Sequence, residues 1–289
     1  MYDRINVASK TKKILDSAFD EPISVEDGNY LMNLKGSEIY PLLATADAIR
    51  EEIVGDKVTF INNCNINFTN ICHVRCGFCA FGKDPDDPEA YLLDDEGILN
   101  KAEGGYRDGA REFTLMGGVL EDATIEYYEH LLKLLKSHYP KVEIHGFSPT
   151  MIRDAALNSE IPVDEAFKIL KKAGLDTLPG TAAEILTDRS REIICPKKVS
   201  TQEWIDVVKI AQKVGITGSA TMMYGHVETI EERVEHLDIL RQIQLDTGGF
   251  NEFIPMTFMH EYSPIFLEGQ RDLGATGTQD LKLYAVARL

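Results

Sequence analysis

The sequence predicts an α/β protein built as a (β/α) barrel of the TIM type, with a helical cap at its N-terminus. Strand-like and helix-like segments alternate from Lys57 onward, which is typical of parallel βαβ units. The strand-like segments have hydrophobic bodies and polar or glycine-rich carboxyl ends. No Rossmann-type glycine fingerprint accompanies them, so the series fits a barrel better than an open doubly wound sheet.

The cap is predicted from two amphipathic segments within residues 1–55, and residues 56–289 are expected to form the barrel core. Ser24 resembles a helix N-cap, and Gly36 resembles a helix stop. A second helical segment follows at residues 38–55.

Six strands are predicted in the core, at residues 57–70, 111–118, 141–149, 175–180, 216–225 and 250–258. The connecting helices are predicted at residues 94–110, 121–140, 162–174, 201–215 and 229–249, and a last helix opens at 278–289. Pro162 and Gly174 provide the start and stop signals of one of these helices. Because the chain stops inside a helix after six strands, we expect the barrel to be partial or C-terminally incomplete.

The charge of the chain limits its partners. Its 30 Lys and Arg against 47 Asp and Glu give a net charge of −17, which repels phosphate backbones and anionic lipid surfaces. We therefore expect no nucleic acid and no membrane as partners. No targeting segment or membrane-length apolar run is visible, so a cytoplasmic location is expected.

Three of the five cysteines lie close together in the segment "NICHVRCGFC". Cys72, Cys76 and Cys79 have the spacing Cys-x3-Cys-x2-Cys and follow the first predicted strand, where a barrel enzyme would hold a cofactor. A structural zinc site usually needs four ligands in two pairs, so zinc is the weaker interpretation. Three buried thiols without a ligand are a further alternative. Three thiolates could instead bind three irons of a 4Fe-4S cluster and leave the fourth iron open.

The segment "CHVRCGFC" resembles the signature of the radical S-adenosylmethionine (SAM) enzymes, with Phe78 in its aromatic position. The resemblance implies that the open iron binds SAM and that one electron from the cluster cleaves it to methionine and a 5′-deoxyadenosyl radical. Gly117 and Gly118, after the second strand, match the family motif that meets the methionine amino group through backbone carbonyls. An ordinary turn is the alternative for these glycines.

Longer segments are similar to the second-subunit family of FO synthase (CofH). They include "HGFSPTMI", "AGLDTLPGTAAEIL", "ICPKK", "TMMYGHVET" and "FMHEYSPIF". This resemblance implies a transferase that joins the 4-hydroxybenzyl group of L-tyrosine to 5-amino-6-(D-ribitylamino)uracil in deazaflavin biosynthesis. It also implies an electron donor and association with the other FO synthase subunit (CofG). Two menaquinone-pathway relatives, aminofutalosine synthase and dehypoxanthine futalosine cyclase, share much of this pattern and remain the alternative.

Polar residues at the predicted strand ends are the candidates for substrate and cofactor contacts. Glu184 is a candidate for the SAM ribose or ammonium, and His226 or His260 could handle a phenol proton. The full substrate set is His145, Ser148, Tyr224, His226, Glu228, Glu252 and His260. For each of them, a structural hydrogen bond is the competing interpretation. A metal-stabilised binding module that does not use SAM is the competing hypothesis for the whole chain.

Overall fold

The computed structural model describes residues 7–269 and 273–289, so the first six residues of the predicted cap lie outside it. The strands are β1 (Asn63–Asn67), β2 (Glu112–Met116), β3 (Glu143–Gly146), β4 (Thr177–Leu178), β5 (Thr217–Tyr224) and β6 (Phe250–Thr257). The helices are α1 (Ser9–Ser17), α2 (Val25–Met32), α3 (Ile39–Val54), α4 (Asp95–Arg107), α5 (Ile125–His138), α6 (Pro149–Asn158), α7 (Val163–Ala173), α8 (Asp188–Ile194), α9 (Thr201–Val214), α10 (Ile230–Thr247), α11 (Pro264–Leu267) and α12 (Gly277–Arg288).

The strands form a single parallel sheet in the order β1-β2-β3-β4-β5-β6. The sheet is curled, since the segments after its two edge strands meet: the Ile265 amide, after β6, donates to the Gly77 carbonyl, after β1, at 2.9 Å. Burial raises the pKa of Glu112 on β2, and the carboxylates of Glu143 on β3 and Glu252 on β6 raise it further. In a flat sheet β2 and β6 would be four strand spacings apart, about 19 Å. The curled parallel sheet and its outer helices confirm the predicted partial (β/α) barrel.

Alternation along each strand separates the core from the barrel interior. Phe113, Leu115 and Ile144 are fully buried and pack against the outer helices. Their sequence neighbours point the other way, into the space enclosed by the curled sheet, which we call the lumen.

The N-terminal helices pack on the outside of the barrel. Leu31 on α2, Leu42 on α3 and Leu283 on α12 belong to one buried cluster, which also contains Met222 and Tyr224 of β5. The hydroxyl of Ser24 accepts a hydrogen bond from the Asp27 amide and so caps α2 as predicted.

Several element boundaries differ from the prediction. Residues 57–62 are not a strand, although the predicted first strand began at Lys57, and Val58 and Phe60 are both 89% exposed. Helices α6, α8 and α11 were not predicted. Gly36 opens a short 3-10 helix instead of ending α2. In the part of the chain that the structure describes, no helix combines the length and apolar character needed to cross a membrane.

Candidate active site

The three clustered cysteines lie on one loop after β1, residues 70–83, which we call the cysteine loop. Its two ends are joined, because the Lys83 amide donates to the Asn70 carbonyl at 2.8 Å and the Cys72 amide donates to the Lys83 carbonyl at 3.0 Å. The Cys79 amide donates to the Cys76 carbonyl at 3.0 Å. All five cysteines of the chain are free thiols. The loop thus presents three available sulfur ligands on a short, closed segment.

Segments from three other parts of the barrel hold the cysteine loop. The His73 amide donates to the carbonyl of Val119, after β2, at 3.0 Å. The Gly77 amide donates to Ile194 O at the end of α8 (2.8 Å), and the Gly77 carbonyl accepts from the Ile265 amide after β6 (2.9 Å). The loop is therefore fixed at the face where the carboxyl ends of the strands meet, which is where barrel enzymes carry their chemistry.

Gly117 and Gly118 follow β2 directly and press against the start of the cysteine loop. A Cβ on Gly117 would lie 2.9 Å from the Thr69 carbonyl oxygen, and one on Gly118 would overlap the carbonyl oxygen of Ile71. Packing alone therefore requires glycine at both positions. Contact with SAM, which the sequence also suggested, stays a prediction.

Glu184 lies in the segment that follows β4, and it is ion-paired with Lys198. Glu184 is 7% exposed, and its backbone has a positive φ of 46°. The Lys198 ammonium also lies 5.2 Å from the centroid of the Phe78 ring on the cysteine loop. Burial tends to lower the pKa of Lys198, but the carboxylate of Glu184 outweighs this effect, and the pKa is raised. A buried ion pair thus stands beside the cysteines.

Arg191 fixes the shape of this segment. Its buried guanidinium donates to the carbonyls of Ala182 (3.1 Å), Ala183 (2.6 Å) and Val199 (3.1 Å). Both Ala182 and Glu184 have a positive φ, a strained conformation for residues other than glycine, and such strain concentrates at functional sites. The guanidinium satisfies carbonyls that the strained backbone turns inward.

The cysteine loop fits an iron–sulfur cluster. Burial raises the pKa of the metal-free Cys76 thiol to about 12, while the nearby Lys198 cation opposes this shift. Metal binding removes the thiol proton, and the ammonium would then offset thiolate charge. Within the described ranges, no three His, Cys, Asp or Glu side chains converge as ligands of a single ion. Cluster ligands need not converge in this way, because each thiolate binds a different iron.

His226 and Glu228 lie together in the turn after β5, and both are buried. Glu228 accepts from the amides of Gly225 (2.6 Å) and His226 (3.0 Å) and from the Arg233 guanidinium (2.8 Å). His226 Nε2 donates to the Met223 carbonyl at 2.9 Å, and its Nδ1 accepts from the Val227 amide at 2.8 Å. Burial lowers the pKa of His226. Both ring nitrogens are thus engaged within the protein, and this geometry favours a structural role.

Two further candidates are also engaged elsewhere. Tyr224 ends β5 on its outer side, and its hydroxyl donates to Asp280 of α12 at 2.9 Å. Ser148 caps α6, because its hydroxyl accepts from the Met151 amide at 3.2 Å. These contacts favour the structural alternative for both residues, because Tyr224 packs between the barrel and α12 and Ser148 caps a helix.

The remaining candidates lie on the lumen side or at its mouth. His145 lies within β3 and not after it, with Nδ1 2.8 Å from the Thr177 hydroxyl. Glu252 lies in the first half of β6, near Glu112, and so is remote from the carboxyl end of that strand. His260 follows β6 at the mouth, with its ring 4.6 Å from that of Phe266.

Sequence reasoning missed Lys198 and Arg191 as parts of the site. Lys198 stands in the quoted segment "ICPKK", but nothing local to that segment shows that its partner is Glu184, fourteen residues earlier. A buried lysine can be recognised only when its partner is known.

The chain is similar to known proteins in sequence and in fold. Residues 66–240 match the family model of the radical SAM superfamily. A protein of Methanothermobacter thermautotrophicus named 5-amino-6-(D-ribitylamino)uracil–L-tyrosine 4-hydroxyphenyl transferase is 50% identical over 285 residues, which cover 99% of this chain and 78% of the relative. A protein of the same name from Methanococcoides burtonii is 46% identical over 280 residues, which cover 96% of this chain and 76% of the relative.

Solved structures share the fold. HydG, a maturase of the [FeFe]-hydrogenase, superposes with a TM-score of 0.74 at 18% identity over 96% of this chain and 60% of that one. Methylornithine synthase superposes with a TM-score of 0.69 at 19% identity over 97% of this chain and 78% of that one. At these identities the similarity concerns the fold alone.

Proposed function

This chain belongs to the radical SAM superfamily, and from that premise we propose that it is a 5-amino-6-(D-ribitylamino)uracil–L-tyrosine 4-hydroxyphenyl transferase. The observation that carries the proposal is the 50% identity to a transferase of that name along 99% of this chain. The cysteine loop supports it, since it provides the thiols that such chemistry requires.

In the proposed reaction, L-tyrosine is cleaved between Cα and Cβ. Its 4-hydroxybenzyl group is joined to C5 of the uracil, and 2-iminoacetate leaves. When bound, a reduced 4Fe-4S cluster and SAM would supply the one-electron chemistry that removes a hydrogen atom from tyrosine, with methionine and 5′-deoxyadenosine as co-products, and the electron would return to the cluster as the uracil adduct loses a proton. The product is 5-amino-5-(4-hydroxybenzyl)-6-(D-ribitylimino)-5,6-dihydrouracil, a precursor in deazaflavin biosynthesis.

The protein's own residues have distinct parts in this proposal. Cys72, Cys76 and Cys79 hold three irons and leave the fourth iron to SAM. Glu184 is assigned to SAM in this proposal, and its interaction with Cys76 supports the assignment. Phe78 and the Gly117–Gly118 turn form the wall on the side of the cysteine loop.

Proton handling falls to His260 in this proposal. It is at the mouth of the lumen and partly exposed, whereas both ring nitrogens of His226 are engaged. Association with the other FO synthase subunit (CofG), which would close the deazaflavin ring, belongs to the same proposal, as do an electron donor and a cytoplasmic location.

The test is an anaerobic reaction of protein reconstituted with iron and sulfide, reduced, and supplied with SAM, tyrosine and the ribitylaminouracil. Mass spectrometry follows 5′-deoxyadenosine and the hydroxybenzyl adduct. We expect adduct formation that requires tyrosine and is lost in Cys76→Ala. Cys64→Ala is the matched control, because Cys64 lies on β1 against α4 and should not affect cluster loading.

Two results would contradict the proposal. Formation of deoxyadenosine without adduct would support the radical chemistry but favour a futalosine-type nucleoside as the substrate. A cluster-loaded protein that consumes no SAM would favour the binding-module hypothesis.

A further inference from the structure

A row of polar side chains follows the hydrogen-bond register from strand to strand along the lumen. Strand register aligns Asn65 with Thr114, Thr114 with His145, His145 with Thr177, and Thr177 with Thr217. Five neighbouring strands thus each contribute one polar residue, and we call this set the polar layer.

The polar layer faces the lumen. The residues beside its members, such as Ile66, Phe113 and Ile144, are buried in the outer core, and alternation turns the layer the other way. Asn65 is exposed, and the other four members are partly exposed. The partial exposure of Thr114, His145, Thr177 and Thr217 leaves these side chains accessible to a ligand in the lumen.

The layer is held in place. His145 Nδ1 and the Thr177 hydroxyl are hydrogen-bonded at 2.8 Å, and the Asn251 amide donates to the Thr217 hydroxyl at 3.0 Å. Burial also lowers the pKa of His145 to about 4, so the imidazole is neutral near pH 7. The layer therefore offers amide, hydroxyl and imidazole groups that can donate or accept without carrying charge.

Carboxylates beside the polar layer select against anions. Glu112 and Glu143 precede Thr114 and His145 by two residues on the same strand faces, and Glu252, which pairs with Ser219, interacts with Glu112. A carboxylate at this depth would meet repulsion from these side chains, whereas an uncharged polyol would not.

We propose that the polar layer binds the ribityl chain of the aminouracil substrate, through hydrogen bonds from Thr114, His145, Thr177 and Thr217 to its hydroxyls. The inference rests on the proposed function and deepens it. It places the aminouracil deep in the lumen. The carboxylate of tyrosine then lies toward the mouth, away from the three glutamates.

The test compares two ligands on hydroxyl-deleted variants. The dissociation constants of 5-amino-6-(D-ribitylamino)uracil and of 5,6-diaminouracil, which lacks the ribityl chain, are measured by equilibrium dialysis. For Thr177→Val and Thr217→Val we expect the ribityl compound to bind about three- to tenfold more weakly, since each variant deletes one hydrogen bond. Binding of diaminouracil and the KM of tyrosine should stay at the wild-type values.

Thr257→Val is the matched control, because Thr257 lies on β6 and its hydroxyl donates to Asp280 on the outer side at 2.9 Å. Equal weakening of both uracils in Thr217→Val, or no weakening of either, would overturn the assignment. If Thr177→Val alone weakens the binding of both uracils, the cause is a displaced His145. The result for Thr217→Val then decides whether the polar layer binds the ribityl chain. If the wild-type protein forms no adduct and still binds the ribityl compound more tightly than diaminouracil, that result would refute the proposed reaction but support the assignment of the polar layer.

Discussion

Gly118 lies so close to Ile71 that a methyl group on its Cα would overlap the Ile71 carbonyl oxygen. The turn after β2 and the start of the cysteine loop therefore touch backbone to backbone. This contact sets how far the loop stands from the barrel, and so where its three thiols lie.

Gly118→Ala should separate the two segments. We expect the protein to lose about 2–4 kcal/mol of unfolding free energy, because backbone cannot yield as a flexible side chain does. The iron content of the reconstituted variant should also fall, because the three thiols are displaced. Urea unfolding and iron analysis measure the two effects.

Gly104→Ala is the control for that substitution, since Gly104 lies in α4 and a Cβ there meets nothing within 4 Å. It should be neutral or stabilising by up to about 1 kcal/mol, because alanine favours helix more than glycine does. Full iron loading in Gly118→Ala would show that the backbone contact does not position the thiols.

The fold was predictable because its signals are local. Serial strand and helix patterns give parallel neighbours in chain order, and a right-handed crossover leaves few other arrangements. The start of β1 was mispredicted because Val58 and Phe60 are apolar yet lie on the surface, where no neighbouring strand pairs with them in the described residues. Composition alone cannot show which apolar segment pairs with a neighbouring strand.

The site was predictable only in part. Cys72, Cys76 and Cys79 share a loop because their spacing is short, whereas Glu184 and Lys198 meet through the path of the chain after β4. Tyr224 follows its strand as expected, but alternation places it on the outer side with Met222. The polar character of a residue at a strand end does not reveal which side it faces.

Lys198 should position Glu184 for SAM. In Lys198→Met the buried carboxylate loses its ion-pair partner, and we expect SAM to bind about tenfold more weakly, equivalent to about 1.4 kcal/mol. SAM affinity is compared at equal iron content, because Lys198 also lies near the Cys76 thiol, and Lys198→Arg should restore part of the affinity. The change that SAM causes in the electron paramagnetic resonance spectrum of the reduced cluster gives the dissociation constant.

Lys141→Met is the control, because this exposed lysine lies just before β3, at the end of the barrel opposite the cysteine loop. Wild-type SAM affinity in Lys198→Met would contradict the positioning role. Loss of iron in that variant would instead assign Lys198 to the cluster.

Arg191 should be among the most costly residues to replace. Arg191→Met removes the donors to three buried carbonyls while the strained segment still turns them inward, so we expect a loss of about 3–5 kcal/mol of unfolding free energy. Arg107→Met, on the surface of α4, should change the same quantity by less than about 0.5 kcal/mol. Similar losses in the two variants, compared by urea unfolding, would refute the role of the carbonyl contacts.

Stability should fall between pH 7 and pH 5 because of buried His236. Its Nδ1 accepts from the Leu186 amide at 2.9 Å, and its Nε2 donates to the Thr221 carbonyl at 3.0 Å. Burial lowers its pKa to about 3, against about 6.5 in the unfolded chain. The unfolded state therefore binds the proton first. The contribution of neutral His236 to stability is present above pH 6.5 and is lost progressively as the pH falls toward 3.

The expected loss from His236 is about 2 kcal/mol between pH 7 and pH 5, measured as the change in unfolding free energy of the cluster-free protein in urea. His145 acts in the same direction, because burial lowers its pKa to about 4. His236→Gln should be less stable at pH 7 but should lose less on acidification, since it has no imidazole to protonate. His138→Gln, at the exposed end of α5, should retain the wild-type pH dependence. If His236→Gln instead kept the full pH dependence, the acid sensitivity would have to arise from other buried groups.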